Sequence, residues 1–310
     1  MKPHKTRTSY KKGFVNVGQG HELYYECYGN PKAKPVLFLH GGPGGGFRKT
    51  DKRFFNPKKF NVIFFDQRGC GKSKPFASLK NNKTANLVED CKKLLAFLGL
   101  EKVFLFGGSW GSTLGLCYAI KYPETVSGML LRGIFLSNSQ DLDYFIEGPA
   151  REMFPKQWQR FIENVPKTER RQIVEFYAKK INSKNKKISK KYGFEFAVYE
   201  QSIMRLEYDQ KKVLKKLKKW KKNTWPLIES HYLANKCFLP ENHILKNAHK
   251  ISNIPTIIVH GRYDCVCSPK SALKLHKKLK KSRLTFVAAG HSASDKAIEQ
   301  KILAEMKKLE

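Results

Sequence analysis

The chain is short of acid. Its 310 residues carry 26 Asp and Glu against 60 Lys and Arg, a formal net charge of +34. It has no run approaching the ~18 apolar residues of a membrane span. The stretch from Met1 to Asn30 has charges but no apolar segment of the kind found in secretion signals. Zinc-type cysteine spacing is also missing. The seven cysteines are odd in number (Cys27, Cys70, Cys91, Cys117, Cys237, Cys265 and Cys267). Cys265-Val266-Cys267 is C-x-C and not the C-x-x-C of a redox pair. These absences point away from a membrane partner, a bound metal or other cofactor, and a disulfide framework. The expectation is a reduced, cytoplasmic protein.

The basic excess raises nucleic acid as a partner, and its distribution argues against one. Between Phe135 and Pro240, 106 residues hold 23 Lys and Arg against 12 Asp and Glu. About a third of the chain thus carries about a third of the charge, without the concentrated patch that phosphate binding uses. A lysine-rich background is the simpler reading, and no nucleic-acid partner is expected.

What is present is ample apolar content, 41% of residues, arranged in an α/β rhythm. Phe14–Val17 and His21–Cys27 flank Gly18-Gln19-Gly20 and read as a hairpin. Pro35–Leu39 and Phe60–Phe65 are apolar at nearly every position, as in strands covered on both faces of a parallel sheet. Thr84 is placed to cap a helix whose apolar positions run from Leu87 to Leu98. Lys102–Phe106 and Val126–Leu131 continue the strands, which resume at Pro255–His260 and Leu284–Val287. Helices are expected around Ala272–Leu279 and after Asp295. From Phe135 to Pro240 only helical periodicity is found, interrupted by Pro149, Pro155, Pro166 and Pro226. Lys179–Lys191 reads as a solvated loop, and Lys211–Lys222 as a surface helix with Val213, Leu214, Leu217 and Trp220 on one face. The expected architecture is a mostly parallel sheet flanked by helices (residues 1–134 and 241–310) with a helical cap inserted over 135–240.

Gly107-Gly108-Ser109-Trp110-Gly111-Ser112 lies between an apolar strand and a helix. In that setting G-x-S-x-G reads as a nucleophile elbow, with glycines where a tight turn admits no side chain. Ligands of such sheets bind at the carboxyl ends of the strands. After the strand ending at Val259 come His260-Gly261-Arg262-Tyr263-Asp264, and after Val287 come Ala288-Ala289-Gly290-His291. Taken singly, Asp264 could cap a helix and His291 could be a surface histidine. Together, in the order Ser109, Asp264, His291, they match the α/β-hydrolase triad. His291 would take the Ser109 proton and Asp264 would orient the imidazole. The oxyanion would be met by the N–H groups of Trp110 and of Gly42, in His40-Gly41-Gly42-Pro43-Gly44-Gly45-Gly46. That loop lacks the G-K-[ST] ending of a phosphate-binding P-loop. Asp66-Gln67-Arg68-Gly69 is expected to be structural, with Arg68 bonding loop carbonyls around the site.

These segments, with Asp66-Gln67-Arg68-Gly69-Cys70-Gly71-Lys72-Ser73 and Gly261-Arg262-Tyr263-Asp264, resemble the prolyl aminopeptidases (proline iminopeptidases) of the α/β-hydrolase superfamily. The resemblance runs from about Phe14 to the end of the chain. It implies a serine exopeptidase that releases N-terminal proline from small peptides, with Glu200 and Glu229 of the cap binding the substrate's free amino group. An ammonium needs such carboxylates and a plain ester does not. It also implies a proline pocket at Arg132, Phe135 and Phe145, and a non-catalytic cysteine near the site at Cys267. Phe196 and Tyr199 stand where the family usually has tryptophan, and Phe145 where it often has tyrosine, so strictness for proline is the property these positions bear on. A carboxylesterase or amidase of the same fold, and a non-enzymatic binding protein using its basic surface, are the competing readings.

Overall fold

Apolar runs with every position buried form the centre of one eight-stranded sheet. In the computed structural model, which describes residues 2–218 and 224–310, the strands are β1 (Lys11–Gly18), β2 (His21–Gly29), β3 (Lys34–Leu39), β4 (Phe60–Phe65), β5 (Val103–Ser109), β6 (Val126–Ile134), β7 (Thr256–Gly261) and β8 (Ser282–Val287). Their order across the sheet is β1-β2-β4-β3-β5-β6-β7-β8. β1 and β2 form the expected antiparallel hairpin, β2 pairs antiparallel with β4, and all other pairs are parallel.

The run in β3 is continuous because its two faces enter different cores. Leu37 and Leu39 join the layer under the helices Thr84–Phe97, Trp110–Lys121 and Pro269–Lys278. Val36 and Phe38 join the opposite layer, closed by Ile298, Ile302, Leu303 and Met306 of the helix Lys296–Lys308. That second layer is rich in aromatic rings. Phe38 lies 4.9 Å from Phe64 and 5.5 Å from Phe106, and Phe55 lies 5.0 Å from Phe106.

The chain leaves the sheet at Ile134 and re-enters it at Thr256, and the elements described in between are all helical. Three prolines that interrupt the periodicity sit at helix starts. Pro155 and Pro226 occupy the first turns of Pro155–Glu163 and Trp225–Ala234, and Pro149 is the residue before Ala150–Met153. A missing N–H costs nothing there.

Two local expectations are corrected. Lys179–Lys191 is mostly helix: Ile173–Ile181 ends in it and Lys186–Ile203 begins in it. Asn185 starts the second helix by accepting the N–H groups of Lys187 and Ile188. Lysine is a good helix former, so the run's polarity marks exposure and not conformation. Thr84 is inside its helix and does not cap it, because its hydroxyl bonds the Cys237 carbonyl. The basic surface helix is present over Gln210–Lys218 with Leu217 buried, while Trp220 and Lys222 lie outside the described residues. No helix among the described residues is long and apolar enough to cross a membrane.

Candidate active site

Ser109 ends β5 and precedes the helix Trp110–Lys121, with φ 58° and ψ −130°. A non-glycine residue is rarely held there, and such strain concentrates at functional sites. The flanking glycines make the turn possible. A Cβ on Gly107 would collide with the Gly111 carbonyl, and one on Gly111 with the Leu39 carbonyl.

Asp264 and His291 come from the loops after β7 and β8 and meet in the interior. His291 Nδ1 lies 2.8 Å from Asp264 Oδ2, each residue only 1% exposed. Asp264 Oδ1 accepts the N–H groups of Val266 at 2.9 Å and Cys267 at 2.8 Å. Burial alone would raise the Asp264 pKa, but His291, His260 and these donors hold it below the usual aspartate value. The His291 loop is tied to the helical segment through its N–H on the Met204 carbonyl at 2.9 Å. Arg132 Nη1 holds the His291 carbonyl at 2.7 Å.

Ser109 and His291 line one cavity of about 150 Å³, with Gly41, Gly42, Arg48, Arg132 and Glu200. No hydrogen bond joins the Ser109 hydroxyl to the His291 ring among the described residues; the Cys267 thiol lies close to that hydroxyl. A serine side chain reaches alternative partners by rotating about χ1, and such bonds are often incomplete without substrate. The Cys267 thiol is buried, which pushes its pKa well up and keeps it protonated.

Of the two expected anion-binding N–H groups, that of Gly42 lies at this cavity, and that of Trp110 directly follows Ser109. Trp110 opens its helix, so its N–H has no acceptor within it. The Gly42 N–H makes no hydrogen bond among the described residues, and Gly42 lines the cavity. Gly41 is the residue packed against Ser109, where a Cβ would stand 3.4 Å from the serine Cβ. Gly42 is needed by the loop itself, with φ +116°.

The Asp66–Arg68 motif braces this loop. Gln67 holds the His40 carbonyl through Nε2 at 3.0 Å and accepts the Trp110 indole N–H through Oε1 at 2.9 Å. Arg68 bonds the Asn81 carbonyl at 2.7 Å, as expected of it, but its main partner is Asp90, held by two bonds of 2.6 and 2.7 Å. His40, Asp66 and Cys70 are close enough to share a metal ion. Their groups are engaged instead. His40 Nε2 accepts the Gln67 N–H, Asp66 accepts two backbone N–H groups, and the Cys70 thiol donates to the Gln67 carbonyl.

Glu200, on Lys186–Ile203, and Glu229, on Trp225–Ala234, are buried and interact through their carboxyl groups. Burial raises both pKa values, and the Glu200 charge raises Glu229 further. Of the expected proline-pocket residues, Arg132 is in the cavity wall. Phe135 and Phe145 are not among its lining residues. They pack in the apolar cluster behind it, Phe145 lying 6.2 Å from Phe196 and 5.9 Å from Tyr199.

Residues passed over in the sequence also touch the site. His260 lies 3.4 Å from Asp264, and Arg48 lines the cavity. His260 directly precedes the Gly261–Asp264 motif, which was the available signal; Arg48 had none.

The arrangement offers a strained hydroxyl, an imidazole paired with a carboxylate, two outward N–H groups and a buried carboxylate pair, a set that can carry out acyl transfer on a substrate bearing an ammonium. A family model described as the alpha/beta hydrolase fold matches residues 34–297. The chain is 40% identical over 288 residues to a proline iminopeptidase of Xylella fastidiosa, covering 92% of each. It is 38% identical over 324 residues to one of Arabidopsis thaliana, covering 100% of this chain and 85% of that one. The crystal structure of a proline iminopeptidase from Mycobacterium smegmatis superposes with a TM-score of 0.67 at 16% identity, covering 96% of this chain and 97% of that one, a likeness of fold. The chain belongs to the proline iminopeptidase family of α/β-hydrolases.

Proposed function

We propose that this chain is a serine exopeptidase that releases N-terminal proline from peptides through an acyl-enzyme. The observation that carries the reading is the buried Glu200–Glu229 pair beside the cavity that holds Ser109. Buried carboxylates are costly unless a cation answers them, and the free amino end of a peptide is such a cation.

In this reading Ser109 rotates from Cys267 toward His291, which takes the hydroxyl proton as Oγ attacks the first peptide carbonyl. Asp264 keeps the imidazole in the right tautomer and stabilises the imidazolium. The N–H groups of Gly42 and Trp110 receive the oxyanion. His291 then gives the proton to the leaving amine, and water attacks the prolyl ester by the same route. Arg132 in the cavity wall, backed by Phe135 and Phe145, shapes the space for the proline ring. We take residues 1–134 and 241–310 as the hydrolase core and 135–240 as a cap. No cofactor enters the reaction. Seven unpaired cysteines suit a reducing cytoplasm, and the evenly spread charge supports neither a membrane nor a nucleic-acid partner.

The test is turnover of proline arylamide by the purified protein. The free amine should be hydrolysed, and Ser109→Ala should lower kcat by about 10⁴-fold or more. Full activity in Ser109→Ala would remove the nucleophile assignment, and faster turnover of an N-acylated substrate would favour an esterase or amidase.

A further inference from the structure

The cavity above Ser109 holds more positive charge than this reaction uses. Arg48, Arg53 and Arg132 all line it. Two are committed elsewhere: Arg53 pairs with Glu299 at 2.5 Å, and Arg132 holds the His291 carbonyl. Arg48 makes no ion pair among the described residues. Its backbone N–H binds Asp51 at 2.7 Å, while the residue itself is exposed.

Arg48 lines this cavity together with Glu200 and Gln201. A second cavity of about 920 Å³ continues from the first, with Gln201 and Ser294 lining both. Lys216 lines this second space and donates to Gln201 Oε1 at 3.0 Å. Gln201 thus belongs to the wall that carries Arg48 in the first cavity and Lys216 in the second. Of the acids that line the two cavities besides Glu200, Asp51 accepts the Arg48 N–H, Asp209 pairs with Lys212 at 3.1 Å, Asp295 accepts the Gly290 N–H at 2.8 Å, and Glu207 is exposed at the second.

We propose that Arg48, with Lys216 in the adjoining cavity, binds the C-terminal carboxylate of the substrate, so that the enzyme favours free dipeptides and tripeptides. The proposal rests on the aminopeptidase reading and adds the substrate class. A dipeptide is a zwitterion, and at roughly 3.3–3.6 Å per residue its two charges lie about 7 Å apart when extended. Its ammonium meets the glutamate pair, and its carboxylate then falls one residue beyond the bond that Ser109 attacks. A guanidinium recognises a carboxylate through two parallel hydrogen bonds. That contact holds the leaving residue while His291 protonates its nitrogen. The second cavity then gives the anionic product a path outward.

The experiment compares prolyl-glycine with prolyl-glycine amide, which differ only in that terminal charge. Wild-type kcat/KM should favour the acid by about tenfold, and the preference should shrink with added salt, as for any exposed charge contact. Arg48→Gln should bring the ratio close to one, and Arg48→Glu should invert it. Equal rates for acid and amide in the wild type would overturn the proposal. So would a ratio that survives Arg48→Gln, or a variant that loses both substrates in equal proportion. If the wild type cleaves neither peptide nor proline arylamide, the aminopeptidase reading falls and takes this one with it. If it cleaves all three without discrimination, only the Arg48 assignment falls.

Discussion

The Glu200 and Glu229 carboxyl groups interact inside the protein, and each keeps one oxygen, Oε2, that no donor reaches among the described residues. Two buried carboxylates in contact cannot both be ionised cheaply, so the empty pair retains a proton. Burial pushes Glu200 up to about 7. An ammonium with two N–H donors binds best once that proton has left. KM for proline arylamide should therefore fall as pH rises through about 7, until the substrate's own amine deprotonates. Glu229→Gln should flatten this dependence and raise KM about tenfold to a hundredfold, the worth of one charged hydrogen bond. Steady-state kinetics between pH 5 and 9 check it, and a KM independent of pH would rule the shared proton out.

The same pair makes stability depend on pH, with a definite sign. Carboxyls whose folded-state pKa is raised contribute stability fully below the ordinary carboxylate range, and lose it as pH rises through the folded value. Glu229→Gln removes that loss. The variant should melt at a higher temperature than wild type at pH 8, and at nearly the same temperature at pH 4. Each kcal/mol is worth roughly 1–2 °C in a protein of this size. Calorimetry at the two pH values would show the site trading stability for binding.

Arg68 and Asp90 are 2% and 0% exposed and share two hydrogen bonds. Breaking a buried pair strands its partner's charge, at about 3–5 kcal/mol. Asp90→Ala should cost that much in denaturant unfolding. Activity should fall with it, because Gln67, next to Arg68, joins the His40 loop to Trp110. Asp90→Ala with wild-type stability would mean that Arg68 finds another partner.

How much could be seen in advance follows from where each interaction lies along the chain. β3, β4, β5 and β7 were legible because a strand buried on both faces is apolar at consecutive positions. Ser109, Asp264 and His291 could be picked out because each lies at the carboxyl end of a strand or within four residues after it. The braces were not: Gln67 to Trp110 and Arg68 to Asp90 span 43 and 22 residues and leave no local pattern. Lys179–Lys191 misled because lysine reports solvent, and a wet helix and a wet loop share that composition. Which glycine of the His40–Gly46 loop packs against Ser109 leaves no sequence pattern either, and the fold puts Gly41 there.

His260 offers the last prediction. Its Nδ1 lies 3.1 Å from the Ile134 N–H, and a backbone amide can only donate, so the ring proton belongs on Nε2. Nε2 faces the Cys267 carbonyl at 3.0 Å and Asp264 Oδ2 at 3.4 Å. Burial lowers the His260 pKa, so the ring stays neutral and acts on Asp264 as a weak fixed donor. His260→Leu strands the Ile134 N–H, at about 1–3 kcal/mol of stability. It also leaves Asp264 with one donor fewer and a stronger pull on the imidazolium formed in the reaction. The acid limb of the kcat/KM profile should then move up by as much as about half a pH unit, given ~1.4 kcal/mol per unit and a long, weak bond. A ring that served packing alone would lower stability and leave that limb where it was. His260→Gln, which keeps an N–H in reach of Asp264, should return the limb toward its wild-type position even if stability does not recover.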